Sequence, residues 1–193
     1  MNREHQNTEC TNKELLDKDQ FKHEIEEICR IYPMRRSALM PALHLAQQQY
    51  GYLSVQAMHE VANILELPPV QVYEVASFYS LYHTRPIGTC HLQLCTNVSC
   101  MLANAEMLMG VIKQTLAIEQ EQTTHDGRFT LSAVECLGAC DKAPVLQINN
   151  EPYIEHLTEL QLRKLLAQLI EQTSPPAEWH QPETDKVIKV RNV

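Results

Sequence analysis

Apolar positions recur at helical spacing through the first part of the chain. Phe21, Ile25, Ile28 and Tyr32 step by four, three and four, which draws one stripe on a helix beginning near Asp19. Pro33 stops that helix. Ser37 is placed to cap a second helix carrying Leu39, Leu43, Ala46 and Tyr50, with Pro41 in its first turn and Gly51 at its end. Ser54 is placed to cap a third, with Val55, Met58, Val61, Ala62 and Leu65 on one side. Pro68 and Pro69 open a fourth, with Val72, Val75 and Ala76 facing inward. The pattern predicts a small helical bundle over 19–86 that shows no charged cluster suited to chemistry. A structural or docking role follows for it.

The period then changes. From Gly88 to Cys95 the residues alternate, with Cys90, Leu92 and Leu94 on one face and Thr89, His91 and Gln93 on the other, as in a half-buried strand. Met101, Ala105, Leu108, Met109, Ile112 and Leu116 return to helical spacing. Asp126-Gly127 signals a turn into a β-rich run, Arg128–Val134. Val145–Ile148, Asn149-Asn150 and Tyr153–Ile154 read as a hairpin. Thr158 is placed to cap a last helix with Leu160, Leu162, Leu165, Leu166 and Ile170. The order β-α-β-β-α predicts a two-layer sandwich of thioredoxin type over 87–172. The expected fold class is therefore α+β: a helical bundle, then this domain. Residues 1–18 read as a polar arm, and 173–193, with the lone Trp179, as an extended tail.

Composition adds exclusions. The chain has 193 residues, 44% hydrophobic and 21% charged, which is ordinary globular usage. A formal charge of −8 leaves no basic surplus for phosphates, so nucleic acid is not an expected partner. The segment 87–172 is the most acidic, with five Lys and Arg against ten Asp and Glu. No run of 18 apolar residues exists, so no membrane-spanning helix is expected. The N-terminal stretch lacks the apolar core of a secretory signal, which points to the cytosol. The five glycines form no phosphate-binding motif, so no nucleotide or flavin site is expected on this chain.

Cysteine carries the chemistry. There are seven, an odd number, and five lie between positions 90 and 140. In a cytosolic chain this favours metal or redox chemistry over structural disulfides. Cys95 and Cys100 form a C-x4-C pair, and Cys136 and Cys140 a C-x3-C pair. Each pair follows a predicted strand, and in a β-α-β unit those strand ends share one sheet edge. Four thiolates are thus expected to converge there. Soft thiolates select iron–sulfur clusters or zinc. A 2Fe–2S cluster needs two terminal ligands on each iron, which four cysteines supply. Structural zinc pairs are spaced C-x2–4-C, which Cys136/Cys140 satisfies and Cys95/Cys100 meets at the upper limit. Reduced thiols without metal remain a third reading. Gly138 is suited to a tight second loop, and the predicted helix start at Cys100 to a thiolate. Cys90 and Cys29 read as packing residues and Cys10 as a free thiol in the arm. The histidines and the methionines Met101, Met107 and Met109 read as packing or surface. Glu135 and Asp141 flank the second pair, where their charge disfavours adding an electron. A lone cluster of this kind carries one electron and needs other polypeptides as donor and acceptor.

The run Glu135–Ile148 (ECLGACDKAPVLQI), the run Cys95–Cys100 (CTNVSC), and Val75–Ser80 (VASFYS) followed by Pro86-Ile87-Gly88 resemble the thioredoxin-like 2Fe-2S ferredoxin subunits of NADH–quinone oxidoreductase, respiratory complex I. The resemblance spans about residues 19–172. It implies that Cys95, Cys100, Cys136 and Cys140 bind one 2Fe–2S cluster. It further implies an electron-transfer subunit with no active site of its own, accepting single electrons from the FMN of a partner subunit that oxidises NADH. The partners are then that flavin-bearing chain and the rest of the peripheral arm, and the location is cytoplasmic, at the inner membrane through the complex. Two alternatives stay open: the same module in an NAD-linked hydrogenase or formate dehydrogenase, and a zinc-stabilised thioredoxin-fold binding protein.

Overall fold

A computed structural model describes residues 16–150 and 153–176. The chain divides into two compact units at Pro86/Ile87. The arm's Cys10 and the tail's Trp179 lie outside the described residues.

The first unit is helical. Helix α1 (Lys18–Ile31) starts at a capping box: the Asp17 carboxylate accepts from the Asp19 and Gln20 amides, and Gln20 reaches back to the Asp17 amide. Ser37 caps nothing, because Arg35–Ala38 forms a short 3-10 turn that leads directly into α2 (Leu39–Tyr50). Gly51 ends α2 at φ 76°, a left-handed value that costs glycine little. Ser54 caps α3 (Val55–Leu65) through the Ala57 amide, 3.1 Å away, and Pro69 opens α4 (Pro69–Phe78). Phe21, Ile25, Leu43, Leu53, Val61, Leu65 and Val72 form the core and are fully buried. Gln47 secures the segment after α4: its amide donates to the Leu81 carbonyl and its oxygen accepts from the His83 N–H. The Tyr82 hydroxyl donates to the Met40 carbonyl at 2.8 Å.

The second unit is a four-stranded sheet under two helices. Strand β1 (Cys90–Cys95) leads through the five-residue α5 (Val98–Leu102) into α6 (Ala105–Leu116). Then come β2 (Gln122–Thr123), β3 (Phe129–Val134), β4 (Leu146–Ile148) and α7 (Glu159–Gln172). The strand order is β2-β3-β1-β4. Strand β1 runs parallel to β3 and antiparallel to β4. Leu92, Leu94, Phe129 and Leu131 pack against Leu108, Ile112, Leu162 and Leu166 of α6 and α7, giving the expected two-layer α+β domain.

Several details depart from the sequence pattern. The helix expected from Met101 to Leu116 breaks at Asn104, whose φ is 67°, so Met101 lies on α5 and is exposed. Strand β2 pairs with β3 over two residues, too few for periodicity to register. The expected hairpin reduces to one bridge, Leu146 to Ile154, although Asn149 and Asn150 adopt the positive φ of a tight turn. Strand β1 is buried on both faces, not one: His91 and Gln93, on its polar face, are 4% and 5% exposed. The His91 ring is 2.9 Å from the Ser132 hydroxyl. Thr158 caps α7 with a capping box, but Leu160 faces solvent and Leu169 takes the inward position.

Candidate metal centre at the sheet edge

The two cysteine pairs are positioned by the parallel register. Cys95, the last residue of β1, lies level with Val134, the last residue of β3. Both strands therefore release their loops at the same height on the same edge. The junction is tied by the Thr96 amide, which donates to the Val134 carbonyl at 2.9 Å, and by the Cys95 amide, which donates to the Val145 carbonyl at 3.1 Å.

Cys95 and Cys100 form the inner side. They are 4% and 3% exposed and pack with Ala105, Ala139 and Val145. The Cys95 thiol donates to the Glu135 carbonyl at 3.7 Å, which links the first pair to the second loop. Asn97 caps α5 through the Val98 amide and brings Cys100 back over Cys95. Burial pushes the Cys100 thiol up, and its hydrogen bond with Cys95 adds to this. A backbone interaction with Val145 pulls it down, while the nearby Cys95 and Cys140 sulfurs raise it further. The expected helix-dipole assistance is outweighed, since α5 is only five residues long and Cys100 is its third.

Cys136 and Cys140 form the outer side and are exposed. Gly138 turns the loop between them at φ 74°, and a Cβ there would meet nothing within 4 Å. The glycine is needed for its left-handed backbone rather than for close approach. Its amide donates to the Cys136 sulfur at 3.3 Å, so a backbone donor is already aimed at sulfur. Cys140 opens a 3-10 turn, Cys140–Lys142, closed by the Lys142 amide on the Ala139 carbonyl.

The four sulfurs share one edge without collapsing onto one point. Among the described residues no three His, Cys, Asp or Glu side chains are gathered to hold a single metal ion. Four cysteine sulfurs in two pairs fit a binuclear cluster with two terminal ligands per iron. Glu135 and Asp141 are the neighbouring carboxylates. Cys29 belongs to the helical unit, where it packs beside its core. Cys90 is fully buried, with its sulfur 3.6 Å from the Thr173 hydroxyl. It packs in the core, as its position in the pattern suggested, and it is disulfide-bonded. Spacing along a strand reveals burial but not oxidation state.

The same features recur in known proteins. Residues 25–170 match the family described as Thioredoxin-like 2Fe-2S ferredoxin. The chain is 52% identical to the E-type subunit 2 of NADH-quinone oxidoreductase from Rhizobium meliloti (strain 1021) over 146 residues, 76% of this chain and 86% of the relative. It is 43% identical to the E-type subunit of NADH-quinone oxidoreductase from Rickettsia prowazekii (strain Madrid E) over 167 residues, 85% and 94% of the two chains. It is 44% identical to NADH-quinone oxidoreductase subunit 2 of Thermus thermophilus over 155 residues, 79% and 84%. The crystal structure of an air-oxidized NAD+-reducing NiFe-hydrogenase superposes with a TM-score of 0.62 at 28% identity. That likeness covers 69% of this chain but only 23% of the hydrogenase chain. With four cysteines at one sheet edge, a thioredoxin-like sheet and a family match over most of its length, this chain belongs to the thioredoxin-like 2Fe-2S ferredoxin family.

Proposed function

We propose that this chain is an electron-transfer subunit of an NADH-quinone oxidoreductase, the counterpart of the E-type subunit of its relatives. Cys95, Cys100, Cys136 and Cys140 are its cluster ligands. The observation that carries this reading is the level register of Cys95 and Val134, which sends both cysteine loops out at one place. The cluster supplies one-electron redox chemistry when bound. The chain's own residues hold and shield it. Cys95 and Cys100 grip from the water-poor side, and Cys136 and Cys140 from the open side. Cys100 would bind the cluster as its thiolate. The Gly138 amide is in place to hydrogen-bond to sulfur.

The electron donor is the FMN of a larger partner subunit that oxidises NADH, and the chain sits in the peripheral arm of the complex. No helix of the described residues is long and apolar enough to cross a membrane. The helical unit is read as an assembly surface. A hydrogenase setting is the second reading, favoured by the superposition with the NAD+-reducing hydrogenase. The higher identity to the NADH-quinone oxidoreductase subunits favours the first.

The test is anaerobic purification of the full chain, with iron, sulfide and zinc analysis and EPR after dithionite reduction. Two irons and two sulfides per chain with a reduced-state signal support the reading. Zinc in place of iron overturns it. Affinity purification from the native host separates the settings: a flavoprotein with quinone-reducing activity fits the first, and a nickel-containing subunit the second.

A further inference from the structure

The segment Glu155–Leu157 braces the second cysteine loop at three points. The Lys142 ammonium meets the Glu155 carboxylate at 2.6 Å. The His156 amide donates to the Lys142 carbonyl at 2.8 Å, and the Leu157 amide donates to the Pro144 carbonyl at 3.1 Å. His156 holds φ 50°, a left-handed value uncommon for histidine, so its backbone is held there by these contacts. Lys142 is two residues from Cys140 and is the only Lys or Arg between Arg128 and Arg163. Glu135 and Asp141 are the other ionic residues of this loop, and both are acidic. The pair is partly exposed, its side chains 38% and 33% accessible.

We propose that Lys142 and Glu155 are positioning residues that brace the chain just after Cys140 as a charge-neutral pair and thereby keep either charge from shifting the reduction potential of the bound cluster. The proposal rests on those cysteines being cluster ligands. Paired, the two charges cancel at the cluster. Unpaired, either one acts on it alone. A cation beside the site favours the added electron, and an anion opposes it. The two single variants must therefore move the potential in opposite directions. A strut that only held the loop in place gives no such sign rule.

The experiment is an EPR-monitored redox titration of the full chain, reconstituted anaerobically, at low and high salt, with iron content measured in parallel. Glu155→Gln is expected to raise the midpoint potential, Lys142→Gln to lower it, and the double variant to return near the parent value. The single shifts shrink at high salt, because the pair is partly exposed. Shifts of the same sign, or no shift in either single variant with iron retained, overturn the proposal and leave the cluster reading intact. If a single variant loses its iron, the exchanged pair Lys142→Glu with Glu155→Lys decides. Recovered iron supports the brace, and continued loss overturns it. A parent chain that binds no iron overturns both readings.

Discussion

Cys95 and Val134 end their strands side by side in the parallel ladder, with Cys100 in the segment after the first and Cys136 and Cys140 in the loop after the second. Parallel pairing is what makes this possible, since an antiparallel partner would send its loop to the opposite edge.

Replacement of an outer cysteine tests the site without disturbing the core. Cys136→Ser, at an exposed position, is expected to abolish the visible absorption and to reduce bound iron at least severalfold, with the fold retained by circular dichroism. Cys29→Ser, in the helical unit, is expected to leave iron and spectrum unchanged. Unchanged iron in Cys136→Ser removes that residue from the ligand set.

Two glycines should respond with opposite signs. A Cβ on Gly88 would come within 2.8–2.9 Å of the Arg128 and Phe129 backbone, which cannot swing aside. Gly88→Ala is expected to cost about 1–3 kcal/mol, as overpacking does. A Cβ on Gly110, inside α6, would meet nothing within 4 Å. Gly110→Ala is expected to stabilise by about 0.5–1 kcal/mol, because it removes backbone freedom from the unfolded chain and helix-interior glycine is unfavourable. Urea unfolding of the two variants measures both.

His83 makes the helical unit acid-sensitive. Burial lowers its pKa to about 4 from the ordinary 6.5. The fold therefore favours the neutral ring, and its contribution is complete above pH 6.5. As pH falls toward 4, the unfolded chain binds the proton first and stability declines. About 3 kcal/mol is lost once the pH is below both values. His83→Gln is expected to flatten this part of the pH profile of chemical unfolding, relative to the parent chain. An identical slope in the two proteins contradicts the assignment.

The capping box at α7 has a separable effect. The Thr158 hydroxyl accepts from the Gln161 amide, and Gln161 accepts from the Thr158 amide in return. Thr158→Ala should cost about 1 kcal/mol, while Thr158→Ser should cost much less. Thermal melting of the two variants distinguishes the cap from a loss of packing.

Local signals in the chain account for much of this architecture. Gly51, Ser54, Pro69 and Thr158 mark helix ends through interactions within a few residues, so they are legible without a fold. The alternation through Leu92 and Leu94 and the spacing of the two cysteine pairs are legible for the same reason, and they point to an α+β domain with sulfur chemistry. Ser37 misled because a 3-10 turn competes for the same residues. Asn104 breaks a helical stripe that apolar spacing alone runs straight through. The remaining features depend on neighbours far along the chain. Burial of His91 and Gln93, the disulfide state of Cys90 and the tie between Lys142 and Glu155 leave no mark in periodicity. Nor does the contrast between sheltered Cys95 and Cys100 and open Cys136 and Cys140. Residue type and spacing state which groups are available and how each segment prefers to coil. Shielding, charge pairing and the meeting of two loops arise only when β1 and β3 lie side by side, because those effects act through space between residues distant in the chain.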